Sequence, residues 1–177
     1  MKSLPRDEAF RLWRQWWHEM REEWFKVEVL QDYSGEDSGP SLDAWLAGDK
    51  EKSVEFMSGE MKEWIELCRK SPAQKRRFRI VREPLTPYTK WEIELYRRVN
   101  IPLAGEIVYL VPSEKVEHLD IPDGDVVMFD RNRVARAHYS TNGRLEKMDF
   151  YESGVDDIMK FLLLRKEIPK QGKQIVS

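Results

Sequence analysis

The chain of 177 residues carries one cysteine, Cys68, and three histidines, His18, His118 and His138. One cysteine excludes an intrachain disulfide and a cysteine zinc cage, and it suits a reducing compartment. Cys68 sits in an apolar, helical-looking stretch and reads as a small buried hydrophobe. The histidines are far apart and show no ligand spacing, so neither a metal nor a cofactor is expected. Eighteen consecutive apolar residues occur nowhere, and Met1 to Asp7 carry charge without an apolar run. The expectation is a cytoplasmic protein with no membrane association. Walker A, GxGxxG, HExxH and GxSxG patterns are all missing, so the commonest phosphate-loop, dinucleotide, zinc-protease and serine-hydrolase chemistries have no signature. A formal net charge of -2 gives no global attraction to nucleic acid or anionic lipid.

A 41% hydrophobic share is ordinary, and a 35% charged share predicts a densely and mixedly charged surface. At this length one domain buries roughly 70% of its unfolded surface, enough for a core without staples. The expected organisation is a single domain over 1–177, with a helical N-terminal part over 6–70, an α/β core over 76–167 and a frayed tail over 169–177.

Phe10, Trp13, Trp17, Met20, Trp24 and Val27 recur at steps of three and four, which predicts one long helix with a core-facing stripe. Trp16 falls off that stripe and reads as an exposed aromatic. Asp32 to Pro40 collects turn formers and acids and reads as a loop. Ser41 opens a short helix that ends at Gly48, and a further helix is expected from Lys52 to Lys70, interruptible at Ser58 and Gly59 and ended by Pro72.

Beyond Pro72 the periodicity changes to strands. Arg76 to Arg82 alternates, with Phe78 and Ile80 on one face and Arg77, Arg79 and Val81 on the other. Thr86 followed by Pro87 is a cap with proline at the first helical position, opening a helix that stops before Pro102. Ile107 to Val111 and Val126 to Phe129 are continuous apolar runs, expected as neighbouring central strands covered on both faces. Asp130 to Asn132 and Ser140 to Gly143 make tight turns in an antiparallel meander, Asn142 followed by Gly143 being a strong hairpin signal. Val155 to Leu164 closes the domain as an apolar helix. The fold class is therefore mixed α+β: one mixed sheet of about five strands with a β-α-β crossover and an antiparallel meander, helices on both faces.

The most unusual composition is Arg69 to Glu83, with seven cations before its first acid. One reading is a phosphate or nucleic-acid patch, the other a solvated turn and a charge-protected edge strand. If the strand is central, Arg77 and Arg79 must meet acids or a ligand, because an unpaired buried charge is costly. Glu83 follows at the strand's end and Tyr88 lies in the first turn of the next helix, whose amino terminus favours an anion. Arg77, Arg79, Glu83 and Tyr88 are thus the candidate ligand-binding residues, with a phosphate or carboxylate as the ligand group. The alternative is that Glu83 neutralises the arginines. No catalytic residue is assigned.

The run RRFRIVREPLTPY, followed by AGEIVYLVP, DVVMFD, RVARAHY and NGR, resembles an actinobacterial domain of unknown function, family 6879, over about Trp45 to Leu164. That resemblance implies small proteins accompanying helix-turn-helix regulators, with no enzymatic activity. More remotely, the element order is similar to the phospholipase D fold, including non-catalytic sensor versions. The family's His-x-Lys-x-x-x-x-Asp pattern has no match at His118 or His138. The resemblance implies an accessory or regulatory domain that binds a partner protein or a small anionic ligand. Two alternatives stay open: an enzyme using carboxylates such as Glu83, Glu92 or Asp130 in a strand-end pocket, and nucleic-acid binding through 69–82.

Overall fold

In the computed structural model, residues 1–37, 39–152 and 158–177 are described. Their strands form one mixed sheet, in the order β1 (Lys2–Pro5), β7 (Leu145–Glu152), β6 (Arg133–Tyr139), β5 (Val126–Phe129), β2 (Glu23–Glu28), β3 (Gln74–Val81), β4 (Ile107–Pro112), β8 (Lys173–Gln174). The sheet has eight strands rather than about five. The three additional strands are β1, ahead of the expected helical part, β2 within it, and β8 in the expected tail. Among the described residues no helix is long and apolar enough to cross a membrane.

The largest departure is at the N-terminus. Helix α1 (Arg6–Glu19) ends before the aromatic stripe does, because Met20 is extended, with φ -60° and ψ 141°. Trp24 and Val27 belong to β2, which pairs parallel with β3 and antiparallel with β5. The segment Trp24-Phe25-Lys26-Val27-Glu28 alternates with period two as readily as it continues a stripe of threes and fours, and its aromatic and β-branched residues suit a pleated surface. Trp16 is not exposed. At 2% accessibility it packs edge-on against Phe129 and Phe150.

Because β2 and β3 lie between them, β4 and β5 are both internal but are not neighbours. The crossover β3–α6–β4, with α6 at Pro87–Leu95, is parallel as expected, and a second parallel crossover joins β2 to β3 through α2 (Ser34–Asp37), α3 (Pro40–Leu46), α4 (Lys50–Glu60) and α5 (Lys62–Lys70). The break between α4 and α5 falls at Met61, two residues past Gly59. Thr86 caps α6 by accepting from the Thr89 amide, with Pro87 in the first turn. The chain does not stop at Pro102. It continues as a wider π-type coil over Tyr96–Ala104 and turns at Gly105, whose φ of +69° suits glycine.

The meander β5–β6–β7 turns at 130–132 and at Ser140–Arg144, where Gly143 has φ +80° and lies so close to Tyr33 and Asp32 that a side chain would collide with their backbone. Helix α7 (Ile158–Glu167) closes the fold; residues 155–157, its expected start, lie outside the described residues. The tail is docked rather than frayed. Strand β8 pairs with β4, and Ile175 is buried with its amide on the Val108 carbonyl.

Two cores result. One face of the sheet packs Trp16, Trp17, Trp24, Ile65, Trp91 and Phe129 under α1 and α3–α6. The other packs Phe25, Phe78, Met128, Val134 and Phe161 under α7.

Candidate functional site

Strand alternation places Lys26 and Glu28 of β2 on the same sheet face as Arg77 and Arg79 of β3, and the parallel register sets Lys26 beside Arg77 and Glu28 beside Arg79. Each cation finds a carboxylate. Arg77 donates from Nε to Glu106 Oε2 at 2.6 Å and from Nη1 to Glu28. Arg79, with a fully buried side chain, donates from Nε to Glu92 Oε2 at 2.6 Å. Lys26 Nζ lies 2.7 Å from Glu28 and 3.4 Å from Asp125. Tyrosine hydroxyls complete the ladder: Tyr96 donates to Glu28 at 2.6 Å, and Tyr33 and Tyr139 donate to the two oxygens of Asp125 at 2.5 and 2.9 Å. Trp64 and Asn100 donate to Glu106.

Burial opposes the charge of Glu28, but Arg77, Lys26 and Arg79 outweigh it and hold that carboxyl well below the usual range. Glu106 is likewise lowered, Arg77 overcoming its desolvation. Glu92 goes the other way. Burial pushes it up to about 7 against the pull of Arg79, and the charge on Glu28 adds to the rise.

Above this floor lies a cavity of about 690 Å³ between the sheet, α1, α6 and the α4–α5 pair. Trp13, Trp24, Trp64, Tyr33, Tyr88 and Tyr96 line it, Trp24 and Tyr96 flanking the Arg77 guanidinium. Helix α6 presents Tyr88 and Glu92, four residues apart, to the space, and Tyr96 and Asn100 continue the row in the wider coil. Glu36, Glu60 and Glu63 stand among the lining residues drawn from the helical layer.

Of the residues singled out in the sequence, Arg77 and Tyr88 line the cavity and Arg79 lies in the floor beneath it. Glu83 does not join them. It is exposed and accepts from the Leu85 amide, while Glu28, Glu92 and Glu106 take the role of neutralising the arginines. The reason is geometric: Glu83 lies past the end of β3, whereas those acids come from the adjacent strand, the covering helix and the residue before β4. Asp130 is a structural cap whose carboxylate accepts from the amides of Arg21, Glu22 and Glu23. Lys26, Glu28, Glu106, Asp125 and Tyr96 were not anticipated. The usable signal was a charge abutting or interrupting an apolar strand: Lys26 and Glu28 within WFKVEV, Glu106 before IVYLV and Asp125 before VVMF.

Elsewhere, burial pushes the Cys68 thiol up to about 12, so it stays protonated. His138 lies 2.6 Å from Asp149, away from the cavity, while His18 and His118 are exposed. Among the described residues no three acids, histidines or cysteines converge as a metal site would require.

A family model described as Domain of unknown function (DUF6879) matches residues 11–168. Among solved structures the chain is similar to a phospholipase D family member, Nuc from Salmonella typhimurium, at 11% identity and a TM-score of 0.58, over 99% of this chain and 97% of that one. At that identity the likeness shows the fold alone. No curated protein matches the chain in sequence.

Proposed function

The chain belongs to the DUF6879 family, and from that premise we propose that it is a non-enzymatic regulatory domain that binds a small molecule in the sheet–helix cavity and signals occupancy to a protein partner. A helix-turn-helix transcription regulator is the partner class proposed, in keeping with the actinobacterial resemblance. The observation that carries the reading is the cavity itself: about 690 Å³, walled by aromatics, over a floor of fixed polar groups. The carboxylates of that floor already accept from cations and hydroxyls, while Arg79 Nη2 and the Trp24 indole N–H have no acceptor among the described residues; this favours recognition over turnover, since a free nucleophile or base needs an unengaged lone pair. An anionic ligand fits less well than the basic segment suggested. Arg76 pairs with Glu23, and Arg77 and Arg79 are buried in pairs, so these three do not extend the basic segment as a surface for nucleic acid.

One observation favours the enzymatic alternative: Glu92, at about 7, has the proton affinity of a general acid or base. A thermal-shift and tryptophan-fluorescence screen of small molecules, followed by incubation of any binder and product analysis, separates the two. Stabilisation without conversion supports the binding reading. Conversion that is lost in Glu92→Gln supports the enzyme. A screen in which no compound shifts the melting or the fluorescence counts against both.

A further inference from the structure

We infer that the ligand taken by the cavity is a neutral, ring-bearing molecule that presents a hydrogen-bond acceptor of the carbonyl class to the indole N–H of Trp24. This rests on the binding reading above and specifies its ligand class. The cations around the space are each paired. Arg77 is held by Glu28 and Glu106, Arg79 by Glu92, and Lys26 by Glu28 and Asp125, while Arg6 and Arg14 pair with Glu36 and Glu63. An entering anion meets Glu28, Glu92 and Asp125 among the lining residues, and an entering cation meets Lys26 and Arg77 there, with Arg79 buried beneath. An ion of either sign must take a partner from one of these pairs and leave the other member buried and uncompensated. A neutral molecule displaces none of them.

The floor has donors to spare and its acceptors are taken. Glu28, Glu106 and Asp125 each accept through both oxygens, and Glu92 accepts from Arg79 and Tyr96. Trp24 Nε1 and Arg79 Nη2, by contrast, are buried with no acceptor among the described residues. Two other indoles of the lining show what the fold does when it supplies the partner itself: Trp64 donates to Glu106, and Trp91 to Ser41 and Ser53. Trp24 lines the same space at 2% exposure and departs from that arrangement. A buried donor left unmade is costly, and an acceptor carried in by a ligand removes the cost. Arg79 offers a second such donor. It stands on the same sheet face, four register positions along from the pairing of Trp24 with Lys75, with Arg77 between, and its guanidinium lies 5.2 Å from the ring of Tyr33, a lining residue. The aromatic walls supply flat apolar surface for the ring of the ligand.

The test is one skeleton in four forms, titrated into the whole chain by calorimetry: 4-phenylbutan-2-one, butylbenzene, 4-phenylbutylamine and 4-phenylbutyrate. The ketone is expected to bind about tenfold tighter than the amine or the carboxylate. Equal or tighter binding of either charged probe overturns the neutral assignment and leaves the binding reading standing. Binding by none of the four overturns this inference and counts against the binding reading with it. Trp24→Phe, confirmed folded by its melting curve, is expected to weaken the ketone about fivefold while leaving butylbenzene unchanged. An undiminished ketone affinity, or an equal loss for both probes, overturns the role of Trp24. Nuclear magnetic resonance of the wild-type indole N–H groups decides the same point where the variant does not fold. The Trp24 signal is expected to move downfield with the ketone and not with butylbenzene, and a signal that the ketone leaves in place overturns the assignment.

Discussion

The two faces of the sheet share their strands and differ in what fills them. On β3, Phe78 and Ile80 point to the α7 side and meet Phe25, Val111 and the side chains of α7, a dry aliphatic and aromatic core. The alternate residues, Arg77 and Arg79, point to the α6 side and meet carboxylates beneath a cavity. A face that packs without space contributes stability through burial. A face held apart by charged groups of fixed geometry keeps space open, since ion pairs and tyrosine hydroxyls resist collapse where aliphatic side chains would close it. The closed face acts as the platform, and the charged face carries the candidate site.

The variant that breaks this contrast most severely is the double substitution Arg77→Gln with Arg79→Gln, which leaves Glu28, Glu92 and Glu106 without their guanidinium partners. Removing one member of a buried pair costs about 3–5 kcal/mol, so loss of two is expected to unfold a marginal domain; circular dichroism and a urea melt decide it. Native-like stability would show that the ladder is not what props the charged face.

Phe78→Ala tests the other side. Phe78 is fully buried against Phe25 and Tyr109, and its truncation is expected to cost about 3–5 kcal/mol in a denaturant melt. Ligand affinity, measured where the variant remains folded, should be unchanged. A large loss of affinity would mean that the two faces are coupled.

A smaller effect separates the faces by pH. The Glu92 carboxyl is raised from 4.5 to about 7 in the folded protein, so its proton is held more tightly folded than unfolded. Its contribution to stability is full below the unfolded value and is lost as pH rises through about 7, about 3 kcal/mol in all. Glu28 and Glu106 are lowered, so their contribution is present above the ordinary carboxylate range and lost as pH falls below it. Urea melts at about pH 3, about pH 5 and about pH 8 should show Glu92→Gln losing the fall between 5 and 8 and keeping the fall between 5 and 3. Phe78→Ala should keep both slopes. An unchanged pH profile in Glu92→Gln would place the titrating group elsewhere.

The least consequence is expected from Glu83→Gln. Glu83 is exposed and touches only a nearby amide among its described contacts, so stability should stay within about 0.5 kcal/mol and probe binding should not change. A lost affinity there would move the site to the end of β3.

Much of the charged face was legible and its wiring was not. The alternation of Arg77 and Arg79 against Phe78 and Ile80 is written in β3, and the need for acids follows once that strand is internal. Which acids answer is not written there, because Glu28 and Glu106 stand 49 and 29 residues from Arg77 and reach it only through the order of strands. Strand β2 was hidden for a related reason. Trp24 and Val27 satisfy a helical period and a strand period alike, and two pairing partners on either side decide for the strand.

By itself, the sequence determined the features that act within a few residues. Thr86 and Pro87 start α6, Asn142 and Gly143 turn the hairpin, and Ile107 to Val111 and Val126 to Phe129 are strands, the second covered on both faces and the first half-buried at Ile107, Tyr109 and Leu110, because caps, left-handed φ and unbroken apolar runs each act over about one turn or one strand. The tertiary structure alone decided that β2 and β3 separate β4 from β5, that the tail docks as β8, and that acids from β2, α6 and the approach to β4 close around two arginines. Those outcomes depend on which distant segments compete for the same sheet edge and the same buried charge, a contest that no local stretch of chain encodes.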